Sequence, residues 1–288
     1  MMRYAMALSG GGARGAAHVG VLLALEEAGL PPGALAGTSA GAVVAGLYAC
    51  GLGAERLRRL VEDIARGRIC LVDPAFLGIV RAAFQLLTRR HVTLPGLIKG
   101  GRLERLLRRE TGGMALRDVK RRLILPSVDL RTGGTVAYTN TLAGLRPLPH
   151  VTWRADGPVC EAARASAAFP AVFFPVRRGS LCLTDGGVAD NLPVDLLLAA
   201  GERRVLAVDV AEAYHPPEHD NLIEIASHSL TIMSTRLKEH MAAGERFLLH
   251  PALPEEAGLL TFREMPACME AGYEATRRQL PVLRALFG

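Results

Sequence analysis

Lysine is nearly absent from this chain of 288 residues: of the 34 basic positions, only Lys99, Lys120 and Lys238 are lysine. The formal net charge of +6 therefore rests on arginine and reads as a coding preference as readily as a functional one. Cysteine is sparse too. Cys50, Cys70, Cys160, Cys182 and Cys268 are scattered, odd in number and contain no C-x-x-C, which excludes a disulfide framework and a zinc ribbon and fits a reducing compartment. Aromatic residues make up 5% of the chain, with one tryptophan, too few for the stacking platforms of single-strand binders. The basic clusters Arg102–Arg109 and Arg117–Arg122 then read as solvated helix faces, and no nucleic-acid partner is expected. A long unbroken apolar run is also missing. Ala28–Ala54 carries no charge, but Pro31, Pro32 and seven glycines interrupt it, and Met1–Leu8 is too short for a signal-peptide core. The expectation is a cytoplasmic protein that meets a membrane, if at all, from outside.

What remains is an ordinary globular composition, 50% hydrophobic and 22% charged, with 31 glycines and 17 prolines as punctuation. A chain of this length buries a substantial core without staples. No internal repeat, coiled coil or low-complexity tract is visible. Arg3–Leu8 reads as a buried strand, Ser9–Gly15 as a glycine loop, and the apolar pattern up to Gly29 as a helix. Ala34–Ala36 and Ala42–Cys50 repeat the strand-to-helix arrangement. Two such units argue a mostly parallel sheet covered by helices. Further helices are expected over Glu55–Arg66, Arg102–Glu110, Val159–Ala168 and Pro193–Ala200. A hairpin is expected from Arg122–Asp129 and Thr135–Thr139, and strands over Ser180–Thr184 and Arg204–Asp209. The apolar segment from about 68 to 101, with two prolines, reads as an irregular cap or insertion outside the sheet. A helical C-terminal part is expected from about 221, ending in a helix near Ala267–Phe287. The whole is read as a single domain over 1–288.

Three strings could carry chemistry. Gly37-Thr38-Ser39-Ala40-Gly41 is a G-x-S-x-G pattern between a strand and an apolar helix, where small neighbours tolerate a strained turn that pushes a serine hydroxyl into the open. Gly10–Gly15 fits G-x-G-x-x-G, yet the next strand ends in Gly37-Thr38-Ser39, without the acid that a dinucleotide ribose requires. Its unpaired amides at a helix N-terminus serve a developing oxyanion more economically. Asp185-Gly186-Gly187 follows a predicted strand, so a carboxylate there reaches the sheet edge that Ser39 also occupies. Asp185 is accordingly a candidate base, with Asp129, Asp190 and Asp209 as rivals; Asp190 reads as a cap on the turn entering Pro193.

No histidine stands in a motif that points at Ser39, and a serine after only one or two strands does not fit the α/β-hydrolase order. His215-Pro-Pro-Glu-His219 matches a metalloprotease string, but Pro216 and Pro217 cannot sit inside the helix that string needs, so no metal is expected. Phe76, Leu77, Ile79, Val80, Phe84, Leu86 and Leu87, followed by Arg89, Arg90 and His91, form an apolar stretch with a basic end. It reads either as an interfacial lid or as the packing of inserted helices.

Taken in order, Gly-Gly-Gly-Ala-Arg-Gly (10–15), Gly-Thr-Ser-Ala-Gly (37–41), Arg-Ala-Ser-Ala-Ala-Phe-Pro (164–170) and Asp-Gly-Gly-Val-Ala-Asp-Asn-Leu-Pro-Val (185–194) resemble the patatin-like phospholipase family, its small stand-alone bacterial branch most of all. Weaker echoes at Gly96–Gly101 and Gly272–Ala275 extend the similarity over nearly the whole chain. The resemblance implies a three-layer α/β/α sandwich with a mostly parallel central sheet. It also implies a Ser39–Asp185 dyad without histidine, and an oxyanion hole in the loop Gly10, Gly11 and Gly12, with Gly11 and Gly12 as the amide donors. Arg14 would brace that loop or offset nearby negative charge. Gly37, Gly41, Gly186 and Gly187 would support the two turns, and residues 164–170 would shape the pocket wall. The implied reaction is acyl-ester hydrolysis of a lipid, of phospholipase A or lysophospholipase type, with no cofactor and no metal. Acyl transfer by the same serine is the alternative, although the related acyl-carrier transferases place a histidine where this chain has Thr38. A regulatory scaffold without turnover is the other alternative.

Overall fold

The computed structural model describes residues 4–88, 91, 93–210, 225, 229, 232–234, 236 and 244–288. The string His215–His219, Arg89 and Arg90 at the basic end of the apolar stretch, and most of 221–243 in the helical part expected from about 221 lie outside the described residues.

The sheet is built around two strand-to-helix units. β1 (Ala5–Leu8) leads through a 3-10 turn at Gly12–Gly15 into α1 (Ala16–Glu27), and β2 (Ala34–Gly37) turns at Ser39 into α2 (Ala40–Ala49). β1 pairs in parallel with β2 on one side and with β8 (Val205–Val208) on the other. The strands alternate strictly: Met6, Leu8, Leu35, Leu206 and Val208 face one core, while Ala5, Ala7, Ala34, Ala36 and Ala207 face a second. This period of two on fully buried strands is what a sheet with both faces covered requires. The bulky face carries α1, α2 and, further along the chain, α3 (Ala54–Ala65), α5 (Gly101–Glu110), α6 (Val159–Ser166) and α8 (Met265–Phe287). The alanine face carries α7 (Val194–Ala199), which seats Leu196 and Leu197 on it. The result is an α/β/α sandwich with unequal outer layers.

From edge to edge the main path runs β5 (Val151–Arg154), β4 (Thr135–Thr139), β3 (Arg122–Asp129), β2, β1, β8 and β9 (Phe247–Leu249). β3 (Arg122–Asp129) and β4 (Thr135–Thr139) form the expected hairpin. β3 also changes partner along its length. Its first residues pair in parallel with β2, ending at Ala36 opposite Ile124, and its last pair antiparallel with β7 (Leu181–Asp185), where Asp185 stands opposite Ser127. Pro126, which has no N–H to offer a ladder, stands at the changeover.

β5 (Val151–Arg154), β6 (Val176–Arg178) and β9 (Phe247–Leu249) were not expected from the sequence. They are short and mostly half-exposed, so they lack the buried apolar run that marks β1, β2 and β8. The segment from about 68 to 101, expected to be irregular, contains α4 (Phe76–Leu87). It is tied down at both ends: Asp73 accepts from the amides of Gly100 and Gly101 at 2.7 and 2.8 Å, and Ile98 bridges to Phe173.

α1 and α8 cross at van der Waals contact through two glycines. A Cβ on Gly20 would collide with the Met269 carbonyl, and one on Gly272 with the Ala17 carbonyl. Both obstacles are backbone and cannot swing away. Gly20→Val is therefore expected to cost about 3 kcal/mol of stability. Gly53→Ala, where the nearest atom is 4.0 Å away, is expected to cost almost nothing. Equilibrium unfolding midpoints compare the two; equal midpoints would mean that the helix crossing is looser than described.

Candidate active site

Ser39 stands where β2 has just left β3. Its φ of 54° and ψ of −120° lie in a region that side chains rarely adopt, so the turn is held by its surroundings. The Ser39 amide donates to Ser166 Oγ at 3.1 Å, and Thr38 Oγ1 donates to the Asp190 carbonyl at 2.9 Å. Gly41 sits so close to the Leu8 and Ser9 carbonyls that a Cβ there would meet backbone oxygen. Gly10 is as constrained, since a Cβ on it would lie 3.1 Å from Ser39 Cβ. The β1 loop and the β2 turn thus approach each other through glycine, which leaves the serine 9% exposed at the seam.

β7 fills the place that β2 vacates beside β3 and delivers Asp185 there. The Asp185 amide and Thr184 Oγ1 both donate to the Ala168 carbonyl, at 3.0 and 2.8 Å, so the stretch 164–170 clamps both halves of the site. Asp185 is 2% exposed. Its Oδ1 accepts from the Gly187 amide at 2.7 Å, while Oδ2 has no partner of conventional hydrogen-bond geometry. Burial pushes this carboxyl up to about 6; the Ser39 hydroxyl, the Gly187 amide and the Arg164 charge act in the opposite direction. The Ser39 hydroxyl lies near enough to favour the carboxylate, while Oδ2 is left without a hydrogen-bond partner.

The rival carboxylates are differently placed. Asp129 accepts from the Cys182 amide, the Arg131 amide and Thr132 Oγ1. These bonds hold its pKa below the ordinary value, and its lone pairs are spent on the hairpin turn. Asp190 accepts from the Leu192 amide at 3.1 Å, two residues on, which is the turn-capping role expected of it. Its Oδ2 is covered although the residue is partly exposed, and desolvation together with the neighbouring Asp195 carboxylate raises its pKa well above the ordinary value. Asp209 is buried at the end of β8, close to the exposed His250, whose Nδ1 lies 3.9 Å from Asp209 Oδ2.

Among the described histidines, His18 is fully buried. Its Nε2 lies 2.9 Å from the Ser9 carbonyl, and burial holds its pKa down at about 4. A neutral ring bonded to that carbonyl acts as a brace under the glycine loop. Among the described residues no group of His, Cys, Asp and Glu gathers as a metal ion would require.

The glycine loop differs from expectation at one position. The Gly10 amide is committed to the Asn191 carbonyl at 3.1 Å. It therefore has nothing to give an oxyanion, and Gly10 serves the site by its lack of a side chain. The amides of Gly11 and Gly12 have no acceptor among the described residues. Gly12 has a φ of 57°, and its Cα lies against the Leu259 backbone. Arg14 Nε donates back to the Gly11 carbonyl at 3.4 Å, a brace within the loop.

Three further residues belong to the site. Asn191 ties the glycine loop to the Asp185 turn, its Oδ1 lying beside both Gly10 and Gly187. Ser166 holds the Ser39 amide. Arg164 is a buried cation whose Nε and Nη2 donate to the carbonyls of Gly100, Lys99 and Phe174 at 3.0–3.1 Å and whose charge reaches Asp185. All three fall inside the blocks 164–170 and 185–194, so a signal existed, but spacing alone assigns them no role.

Behind Ser39 lies a cavity of about 150 Å³ within the helix layer. α1, α2, α3 and α5 contribute Val19, Val43, Leu60 and Leu103, and Phe173 and Leu259 line it from loops. Among the described residues that line it, Ser39 carries the one polar side chain. A space lined this way accepts hydrocarbon and rejects charge.

The fold and site are those of an α/β protein that presents a strained serine to an apolar cavity. The patatin-like phospholipase family profile matches residues 6–198, and the chain belongs to that family. An uncharacterized NTE family protein of Mycobacterium tuberculosis is 28% identical over 300 residues, covering 96% of this chain and 46% of its own length. Human patatin-like phospholipase domain-containing protein 6 is 29% identical over 211 residues, covering 72% of this chain and 13% of its own. The chain thus spans less than half the length of either relative. Among solved structures, the type III effector ExoU aligns at TM-score 0.49 and 19% identity, covering 97% of this chain and 53% of its own. Human GIVD cytosolic phospholipase A2, solved with methyl γ-linolenyl fluorophosphonate, aligns at TM-score 0.48 and 15% identity, covering 99% of this chain and 59% of its own.

An ionised, buried Asp185 strains the fold. A carboxyl that titrates near 6 when folded and near 3.8 when unfolded favours folding fully below pH 3.8 and loses that contribution as pH rises through 6. The loss is about 3 kcal/mol at neutral pH. Asp185→Asn is expected to unfold at higher denaturant than the parent at pH 7 and to match it near pH 4. A variant no more stable at pH 7 would show that the carboxylate is not desolvated.

Proposed function

We propose that the protein is a serine acyl-ester hydrolase acting on lipids through a Ser39–Asp185 dyad, with the chain working as one hydrolase unit capped by the segment 68–101. The observation that carries this reading is the pairing of Ser39 with a buried Asp185 at the mouth of a cavity otherwise lined by apolar side chains. Membership of the patatin-like phospholipase family supports it.

In the proposed reaction Asp185 takes the Ser39 proton as Oγ attacks the ester carbonyl, and a C–O bond forms. The amides of Gly11 and Gly12 donate to the resulting oxyanion, an arrangement worth about 10²-fold or more per donor. Asp185 then returns the proton to the departing alcohol oxygen, leaving an acyl-enzyme. Water enters, gives its proton to Asp185, and releases the acid by the same steps in reverse. A carboxylate near its ordinary pKa is a weak base towards a serine; the shift to about 6 brings the pair closer in proton affinity. The Ser39 hydroxyl, the Gly187 amide and, least of the three, the Arg164 charge keep that shift from going further and leave most Asp185 ionised at neutral pH. Hydrolysis of the acyl-enzyme, rather than its transfer, is the reading retained, and an added alcohol or thiol that raises turnover by competing with water would replace it.

Initial rates on a homologous series of acyl esters test the reading. kcat/KM is expected to rise about fourfold per added methylene until the cavity is filled, then level off, and Ser39→Ala is expected to lose about 10³-fold or more. A rate indifferent to chain length would remove the lipid assignment, and an active Ser39→Ala would remove the nucleophile. The pH profile is expected to rise through about 6 as Asp185 ionises, and Arg164→Met is expected to move that limb upward. A limb that stays in place would show that the Arg164 charge does not act on Asp185.

A further inference from the structure

α4 is built inside out. The residues it turns towards the protein are small or polar: Ala75 at its start, then Ala82 and Gln85, are buried. Gln85 meets the neighbouring loop through hydrogen bonds, its Oε1 accepting from the Thr93 amide at 3.0 Å and its Nε2 donating to Thr93 Oγ1 at 3.2 Å. The residues it turns outward are large and apolar. Leu77 is 84% exposed, Phe84 60% and Leu87 83%, with Phe76, Val80 and Leu86 beside them. Scattered apolar residues on a surface are ordinary; a helix that turns its large apolar side chains outward and only two alanines and a glutamine inward calls for a partner that supplies the missing hydrocarbon.

The charge around the helix says which partner. From Pro74 to Leu103 the sequence contains no aspartate or glutamate, while Arg81, Arg89, Arg90, Lys99 and Arg102 are basic. Among these, Arg81, Lys99 and Arg102 are exposed. Apolar side chains accompanied by cations, with the bordering Asp73 engaged by the amides of Gly100, Gly101 and Arg102, match the two layers of an anionic bilayer, acyl region below and phosphates above. A second copy of the chain would bring the same positive charge against itself and would be repelled.

The position of the helix gives the contact a purpose. The return strand from α4 is stapled to the cavity wall: the amides of Leu97 and Ile98 donate to the Val172 carbonyl at 3.0 and 2.8 Å, and Phe173, the next residue, lines the cavity. We propose that α4 seats the protein on an anionic lipid surface, inserting Leu77, Val80, Phe84 and Leu87 among the acyl chains so that a lipid tail reaches the Ser39 cavity without crossing water. This deepens the acyl-ester reading by naming the phase from which its substrate is drawn.

The test reads binding rather than turnover, so the two readings fail separately. Co-sedimentation of the Ser39→Ala chain with vesicles of phosphatidylglycerol and phosphatidylcholine in equal parts is compared with vesicles of phosphatidylcholine alone, and both are repeated with Leu77→Ser/Phe84→Ser added. Stronger partitioning onto the anionic vesicles is expected, weakened by salt, with a loss of about tenfold or more in the variant. The variant's thermal midpoint is expected to be unchanged, since both side chains are exposed, and on the Ser39 parent its rate on a water-soluble short-chain ester is expected to be unchanged too. Equal partitioning of the variant would overturn the proposal. So would a wild-type chain that sediments as a dimer, ignores vesicles, and becomes monomeric in the variant. Loss of vesicle binding in a chain that hydrolyses no ester would leave the docking surface standing and remove the hydrolase.

Discussion

Two strands cannot occupy the same side of β3, and the site depends on that exclusion. β2 keeps its place only as far as Ile124 and then turns away at Gly37; β7 comes in from the opposite direction and takes the place from Ser127 onward. Whatever ends the first strand and whatever ends the second must therefore meet at the changeover. Ser39 ends one and Asp185 ends the other. Neither residue needs its partner's sequence neighbourhood to find it, because the backbone ladder brings the two together from positions 146 residues apart (185 − 39). The glycines on both sides serve the same constraint: Gly10, Gly41 and Gly186 stand where a Cβ would strike backbone or a side chain of the opposing segment.

Closeness without solvent sets the electrostatics. Asp185 loses most of its hydration and recovers only the Gly187 amide, a partial contact with Ser39 and the field of Arg164. That is too little to return the carboxyl to its ordinary pKa and enough to leave it mostly ionised at neutral pH. The same deficit that makes it a better base makes it a worse structural residue, the usual relation between a working site and the stability of its scaffold. Asp129 is the counter-example within the same sheet: it is also buried, but three donors hold it in the carboxylate form and leave it no basicity to use.

Much of this was legible in the sequence, and the failures have physical reasons. Ser39 and Asp185 announce themselves because strained turns need small neighbours, and the strings around them are short-range patterns. The hairpin of β3 and β4 and the buried helix faces follow from period. β5, β6 and β9 were missed because they are short and mostly half-exposed, without the buried apolar run that marks the equally short β1, β2 and β8. α4 was left between two readings, a lid and the packing of inserted helices, because its pattern is inverted: an exposed apolar face beside a buried Gln85 fits neither a core helix nor a loop. Gly10 was placed in the oxyanion loop, but what its own amide does could not be read there, since its acceptor, the Asn191 carbonyl, arrives from 181 residues away (191 − 10). Arg164 was hidden for the same reason: its carbonyl partners at Lys99, Gly100 and Phe174 come together only in the folded chain.

The cavity and α4 extend the same logic outward, from a serine that needs a dry site to a surface that meets hydrocarbon. The account stands or falls on whether Ser39 is activated by Asp185. The direct measurement is the rate at which a long-chain alkyl fluorophosphonate modifies the protein, followed by intact mass with peptide mapping at a series of pH values, for the parent and for Asp185→Asn. The account predicts a single adduct on Ser39, formed with a rate that rises through about pH 6 in the parent and is slow and without that rise in the variant. An adduct elsewhere, or a Ser39 adduct formed equally fast without the Asp185 carboxylate, would contradict it.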